Sequence, residues 1–134
     1  MKRMLISGVP MKPGAVDVLE AIRLPKALVT STGRTGAHWK LDRAGLTPHF
    51  RAIVTLDDVS APKPAPDPYL LAADLMGVDP ARCLVFEDSD VGAEAAHRAG
   101  CVVIQVPDVQ KTDGRFVRHL ARDLLTGARL AGLI

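Results

Sequence analysis

Cysteine is scarce in this chain: Cys83 and Cys101 are the only two among 134 residues. They stand far apart in sequence at the starts of two strand-like runs. With no C-x-x-C spacing and no second pair, neither a disulfide framework nor a cysteine metal cage is expected, and reduced, buried thiols are. Long apolar runs are missing as well. No stretch approaches the roughly 20 residues of a membrane-spanning helix. MKRMLISGVPMKPG has neither the apolar core nor the small-residue cleavage site of a secretory signal, so a cytoplasmic location without a membrane partner is expected. Charge of either sign is barely in excess, with 17 basic against 15 acidic side chains and a net charge of +2. The arginines are scattered, which argues against nucleic acid as a partner. His38, His49, His97 and His119 share no metal-ligand spacing. What remains is the profile of one ordinary domain, 48% hydrophobic and long enough for a single core.

The apolar residues fall into alternating patterns. Lys26 to Thr30, Ala52 to Thr55, Leu84 to Phe86 and Val102 to Val106 are short, β-branched, nearly continuous runs, as expected for strands covered on both faces. Between them lie helical patterns with readable ends. Asp67-Pro68 offers an N-cap and an early proline for a helix stopped by Gly77. Val91 to Ala99 is closed by Gly100, Gly36 to Ala44 by Gly45, and Val16 to Arg23 is halted by Pro25. Phe116, Val117, Leu120, Leu124 and Leu125 fit a last amphipathic helix, with Lys111, Arg115, Arg118 and Arg122 on its solvated face. Strand alternating with helix predicts a parallel α/β sheet. Trp39, in the helix after the first strand's turn, is expected to pack in or against the core.

In such a sheet ligands bind beyond the carboxyl ends of the strands, and three unusual stretches fall there. LVTSTGR runs a strand into Thr30, Ser31, Thr32 and Gly33 and then a helix. Its hydroxyls and free N–H groups suit a phosphate or carboxylate, and equally serve as helix caps. Arg34 could reach the same ligand or simply charge a helix start. SAPKPAPDPYL holds Lys63 between two prolines, which makes it either a positioned cation or a solvated one on a stiff loop. VFEDSDVGAEAAHRAG places Glu87, Asp88 and Asp90 within four residues. Three carboxylates so close repel unless something positive joins them, and oxygen-only donors suit Mg²⁺. A solvated acidic turn, with Ser89 and Asp90 capping the next helix, is the alternative.

Together LVTSTGR, KPAPDPYL and EDSDVGAEAAHRAG, in this order, resemble the second, third and fourth motifs of the haloacid-dehalogenase-like superfamily. Within it they look most like the branch of β-phosphoglucomutase and small sugar-phosphate or phosphoglycolate phosphatases, and the similarity runs from PMKPGAVDVLEAI to CVVIQVPD. The resemblance implies a three-layer α/β/α Rossmann-like parallel sheet. It also implies Mg²⁺-dependent phosphoryl transfer through an aspartyl-phosphate, on a small phosphorylated metabolite. By the same resemblance Thr30 or Ser31 binds the phosphoryl group, with Thr32, Gly33 and Arg34 completing the turn. Lys63 neutralises phosphoryl oxygens, Glu87 and Asp88 hold Mg²⁺, and Asp90 supports them.

The sequence departs from that family at its first motif. No D-x-D-G-T/V string is present, and Asp57-Asp58, the other adjacent acid pair, lies where the family has a loop. No helical cap domain is visible. MKRMLIS therefore reads as the stub of a last cap helix, residues 1–10 as a remnant or linker, and residues 1–134 as one partial core lacking its first, central strand. Three repairs of the sheet are conceivable: MLIS as a surrogate strand, closure of the two edges on each other, or a strand from a second chain, including self-association. The expected function is a truncated phosphatase or phosphomutase, inactive alone. The alternative is a non-catalytic phosphate- or Mg²⁺-binding module or assembly partner. A flavodoxin-like phospho-acceptor domain would leave K-P-x-P-D unexplained.

Overall fold

Short β-branched runs linked by helical crossovers favour parallel pairing. The computed structural model, which describes residues 3–6, 24–105 and 119–120, has six strands: β1 (Arg3–Ile6), β2 (Lys26–Val29), β3 (Ala52–Val54), β4 (Cys83–Glu87), β5 (Val102–Gln105) and β6 (His119–Leu120). They form one sheet in the order β3-β2-β1-β4-β5-β6, with every neighbouring pair parallel. Three helices are described: α1 (Arg34–Ala44), α2 (Asp67–Met76) and α3 (Asp90–Arg98). Gly45 and Gly77 end α1 and α2 in the left-handed conformation, with φ of 69° and 67°, where a Cβ would be strained.

The centre of the sheet differs from expectation. It is not empty: Arg3–Ile6 lies between β2 and β4, with Met4 opposite Lys26 and Leu84, and Ile6 opposite Leu28 and Phe86. These residues are a strand and not a helix stub, so of the three repairs the surrogate strand is the one adopted. The physical reason is the row of unpaired N–H and C=O groups that β2 and β4 would otherwise each turn to the gap, which a short apolar segment satisfies on both edges at once. The expected last helix is also corrected where it is described, because His119 and Leu120 extend the sheet beside Ile104 and Gln105. The rest of that segment, like Val16 to Arg23, lies outside the described residues.

Alternation along the strands divides the core. Ala27, Val29, Val54, Val85 and Val103 face α2 and α3, meeting Tyr69, Ala72, Ala73, Met76, Ala93 and Ala96. Alanines at these helical positions let both helices sit close to the sheet and to each other. Leu28, Leu84, Phe86 and Ile104 alternate with those residues and are also buried, on the opposite face. The chain moves outward from β2 to β3 and then reverses to β4, so right-handed crossovers put α1 on that second face. Trp39 is a third correction: it is 59% exposed. It lies two residues from each of the buried Ala37 and Leu41, hence on the outer side of α1, and its ring is covered by Arg43 at 4.9 Å. Cys83 and Cys101 are buried thiols that are not joined in a disulfide. Adjacent strands make them neighbours, and hydrogen bonding to Cys83 together with burial pushes the Cys101 thiol well above its usual range.

Candidate functional site

The strand order reverses its direction of growth at β1, so the crevice beyond the carboxyl end of β1 is flanked by the ends of β2 and β4. Lys63 spans it. Its Nζ donates to the Val29 carbonyl at the end of β2 at 3.3 Å, and to Glu87 Oε2 at the end of β4 at 2.7 Å. The stiff loop predicted around Lys63 is present: Ala65 N–H closes on Pro62 O, and α2 begins at Asp67 immediately after Pro66. Lys63 is therefore not a solvated charge, since only 7% of its side chain and 1% of that of Glu87 is exposed.

Glu87 is held from three directions. Oε2 accepts from both Lys63 Nζ and the hydroxyl of Tyr69, and Oε1 accepts from the Asp88 N–H at 3.0 Å. Its carboxyl group lies against the first turn of α3, where Gly92 leaves room for it. A Cβ at Gly92 would stand 2.0 Å from the carboxyl carbon. Tyr69 is fully buried, and its ring centroid is 5.3 Å from Lys63 Nζ. Neither Tyr69 nor Gly92 stands out in the sequence as a site residue. The available signals are that Tyr69 follows K-P-x-P-D by two residues and that Gly92 is a glycine within a helix.

The turn after β2 is held by contacts of its own. Thr30 N–H donates to Val54 O at 2.9 Å, and Thr30 Oγ1 accepts from Thr32 N–H at 3.1 Å. Ser31 is exposed at the tip, and Thr32 O accepts from Leu56 N–H. The N-terminus of α1, behind Gly33, is already capped across the chain: Arg34 N–H donates to Asp57 Oδ2 at 2.6 Å. The Arg34 guanidinium is paired with Asp58 at 2.6 Å. Thr55 and Asp58 close a capping box on the turn Leu56–Asp58. The Thr55 N–H and then the Arg34 guanidinium hold the Asp58 carboxyl below its usual range. The structure thus brings Thr30 beside the Lys63 contact through the Val29-Thr30 peptide, and it turns Gly33 and Arg34 toward the acidic turn at 57–58.

Ser89 caps α3 by accepting from Gly92 N–H at 3.0 Å, and Asp90 Oδ1 accepts from the buried Gln105 side chain at 3.0 Å. Asp90 therefore supports the acidic loop from the end of β5. Glu87 and Asp88 supply the oxygen donors Mg²⁺ favours. Yet both Glu87 oxygens are engaged by protein donors, and no buried side-chain polar atom among the described residues lacks a partner. Among the described residues no three His, Cys, Asp or Glu side chains gather. As arranged, the charge of Glu87 is matched by Lys63.

Comparison with known proteins agrees with this architecture. The haloacid dehalogenase-like hydrolase model matches residues 3–100. Fructose-1-phosphate phosphatase YqaB of Escherichia coli K12 is 41% identical over 108 residues, covering 79% of this chain and 57% of the relative. A β-phosphoglucomutase-type structure from Thermotoga maritima superposes with a TM-score of 0.82 at 30% identity, covering 92% of this chain and 61% of that one. CbbY from Rhodobacter sphaeroides in complex with phosphate gives 0.71 at 31% identity, covering 90% and 57%. The chain spans about half the length of the curated relatives it matches. On these matches the chain belongs to the haloacid dehalogenase-like hydrolase family, on the β-phosphoglucomutase and CbbY-like branch.

Proposed function

We propose that this chain is the phosphoryl-binding portion of a phosphatase or phosphomutase acting on small phosphorylated sugars. The observation that carries the reading is Lys63, a buried ammonium strung between the ends of β2 and β4 over the end of β1. An ammonium there would stand where it could stabilise charge on phosphoryl oxygens, which is the main demand of phosphoryl transfer. Thr30 and Ser31 would supply hydroxyl donors from the adjoining turn. The names of relatives, a fructose-1-phosphate phosphatase and a hexitol phosphatase among them, support a sugar phosphate as the substrate class.

Formation of an aspartyl-phosphate needs a carboxylate at the end of β1. The strand reads RMLI, and the first acid in the chain is Asp17. The 134-residue chain alone is therefore proposed to bind a phosphoryl group without turning it over, which is also the behaviour of a non-catalytic module of the same fold. Phosphate release from an aryl phosphate and ³¹P-monitored binding of inorganic phosphate, each for wild type and Lys63→Ala, test both parts. Binding weakened by at least about tenfold in Lys63→Ala is expected, with no release in either protein. Lys63-dependent release would overturn the inactivity, and equal binding by the two proteins would overturn the site.

A further inference from the structure

The geometry around Glu87 points to Tyr69 as a positioning residue: we infer that its hydroxyl holds the Glu87 carboxylate in place when Lys63 shifts toward a bound phosphate. This rests on the phosphoryl-binding reading above. Glu87 is 1% exposed, so water cannot replace a departing partner. Its Oε2 is shared by Lys63 and Tyr69, and its Oε1 is held by the Asp88 N–H. The carboxylate cannot follow the lysine, because it is seated against Gly92 on one side and tied to the Asp88 backbone on the other.

An anion that draws the ammonium toward itself therefore leaves Glu87 dependent on the donors that stay. Tyr69 is the side-chain donor among them. Its ring is fully buried on α2, so its hydroxyl is fixed by packing rather than by the ligand. Without that hydroxyl, redirecting Lys63 would strand a buried carboxylate on one backbone N–H, and phosphate would bind against that cost. The ring itself lies 5.3 Å from Lys63 Nζ. Tyr69→Phe keeps that ring and its packing and deletes only the donor.

Inorganic phosphate is the probe, titrated into the full 134-residue chain as wild type, Tyr69→Phe, Glu87→Gln and the double variant, with thermal melts confirming that each folds. Tyr69→Phe is expected to weaken phosphate binding about tenfold, the loss of one hydrogen bond to a charged group. In the Glu87→Gln background, where no charge needs holding, the same substitution should change affinity less than about twofold. Because the chain has a single tyrosine, 3-fluorotyrosine labels this position alone. Its ¹⁹F signal should move as phosphate is added to the wild-type sequence and stay fixed in Lys63→Ala. Wild-type affinity in Tyr69→Phe, or the same loss in both backgrounds, overturns the positioning role and leaves the phosphate site standing. No phosphate binding by the wild-type chain overturns both.

Discussion

Replacing Gly92 by alanine tests whether the Glu87 carboxylate sits where its three donors place it. Gly92 lies in the first turn of α3, and on helix propensity alone alanine would stabilise by about 1 kcal/mol. The new Cβ, however, would stand 2.0 Å from the Glu87 carboxyl carbon and 2.2 and 2.4 Å from its oxygens. Carbon atoms pack comfortably at about 3.5 Å, so the carboxylate must retreat by roughly 1.5 Å. A retreat of that size breaks the 2.7 Å contact with Lys63, in a place where both groups are buried. Separating a buried ion pair costs about 3–5 kcal/mol, and after the propensity gain a net loss of about 2–4 kcal/mol remains. For a chain of this length that corresponds to a fall in Tm of roughly 10 °C. Circular-dichroism melts and urea titrations of wild type, Gly92→Ala, Glu87→Ala and the double variant measure it. With the obstacle removed by Glu87→Ala, the glycine replacement should become neutral or stabilise by up to about 1 kcal/mol. A Gly92→Ala protein that melts within about 2 °C of wild type, or loses as much in both backgrounds, would refute the argument.

Two further outcomes follow from the loops. The folded-state pKa of Asp58 lies below its unfolded value, so its stabilising effect is complete above the unfolded pKa near 4 and disappears as the pH falls below it. Asp58→Asn should therefore flatten the loss of Tm between about pH 4 and pH 2, and an unchanged slope would remove Asp58 from the account. Mg²⁺ titrated into the chain should bind on the order of millimolar or more weakly, because Glu87 already has its counter-ion. Micromolar binding that is abolished by Asp88→Asn would show that the acidic loop is a complete cation site.

Much of the fold was legible because its signals are local. The β-branched runs and the glycines at 45 and 77 mark strand and helix ends within a few residues of where they fall. Of the site, the positions of Lys63 and Glu87 at the carboxyl edge could be read from the motifs that resemble the family's. That they pair with each other could not, since 24 residues separate them and nothing local encodes the contact. The same holds for Asp57, which caps a helix that begins 23 residues before it. The central strand could be read only as one of three repairs, because four residues of modest β-propensity gain their conformation from two neighbours, not from themselves. Trp39 was misjudged because an aromatic in a helix is a poor guide to which side of the helix faces inward.

The span of Lys63 between two strands that are not adjacent has a consequence for how binding and folding report on each other. Its acceptors lie 34 residues before it and 24 after it, so no shorter piece of the chain can assemble this contact by itself. If the proposed phosphoryl site is right, phosphate affinity at the crevice would report on the docked sheet as a whole. Phosphate bound there would raise the melting temperature with the logarithm of its concentration, which would make the ligand a thermometer for the union of the two halves of the sheet.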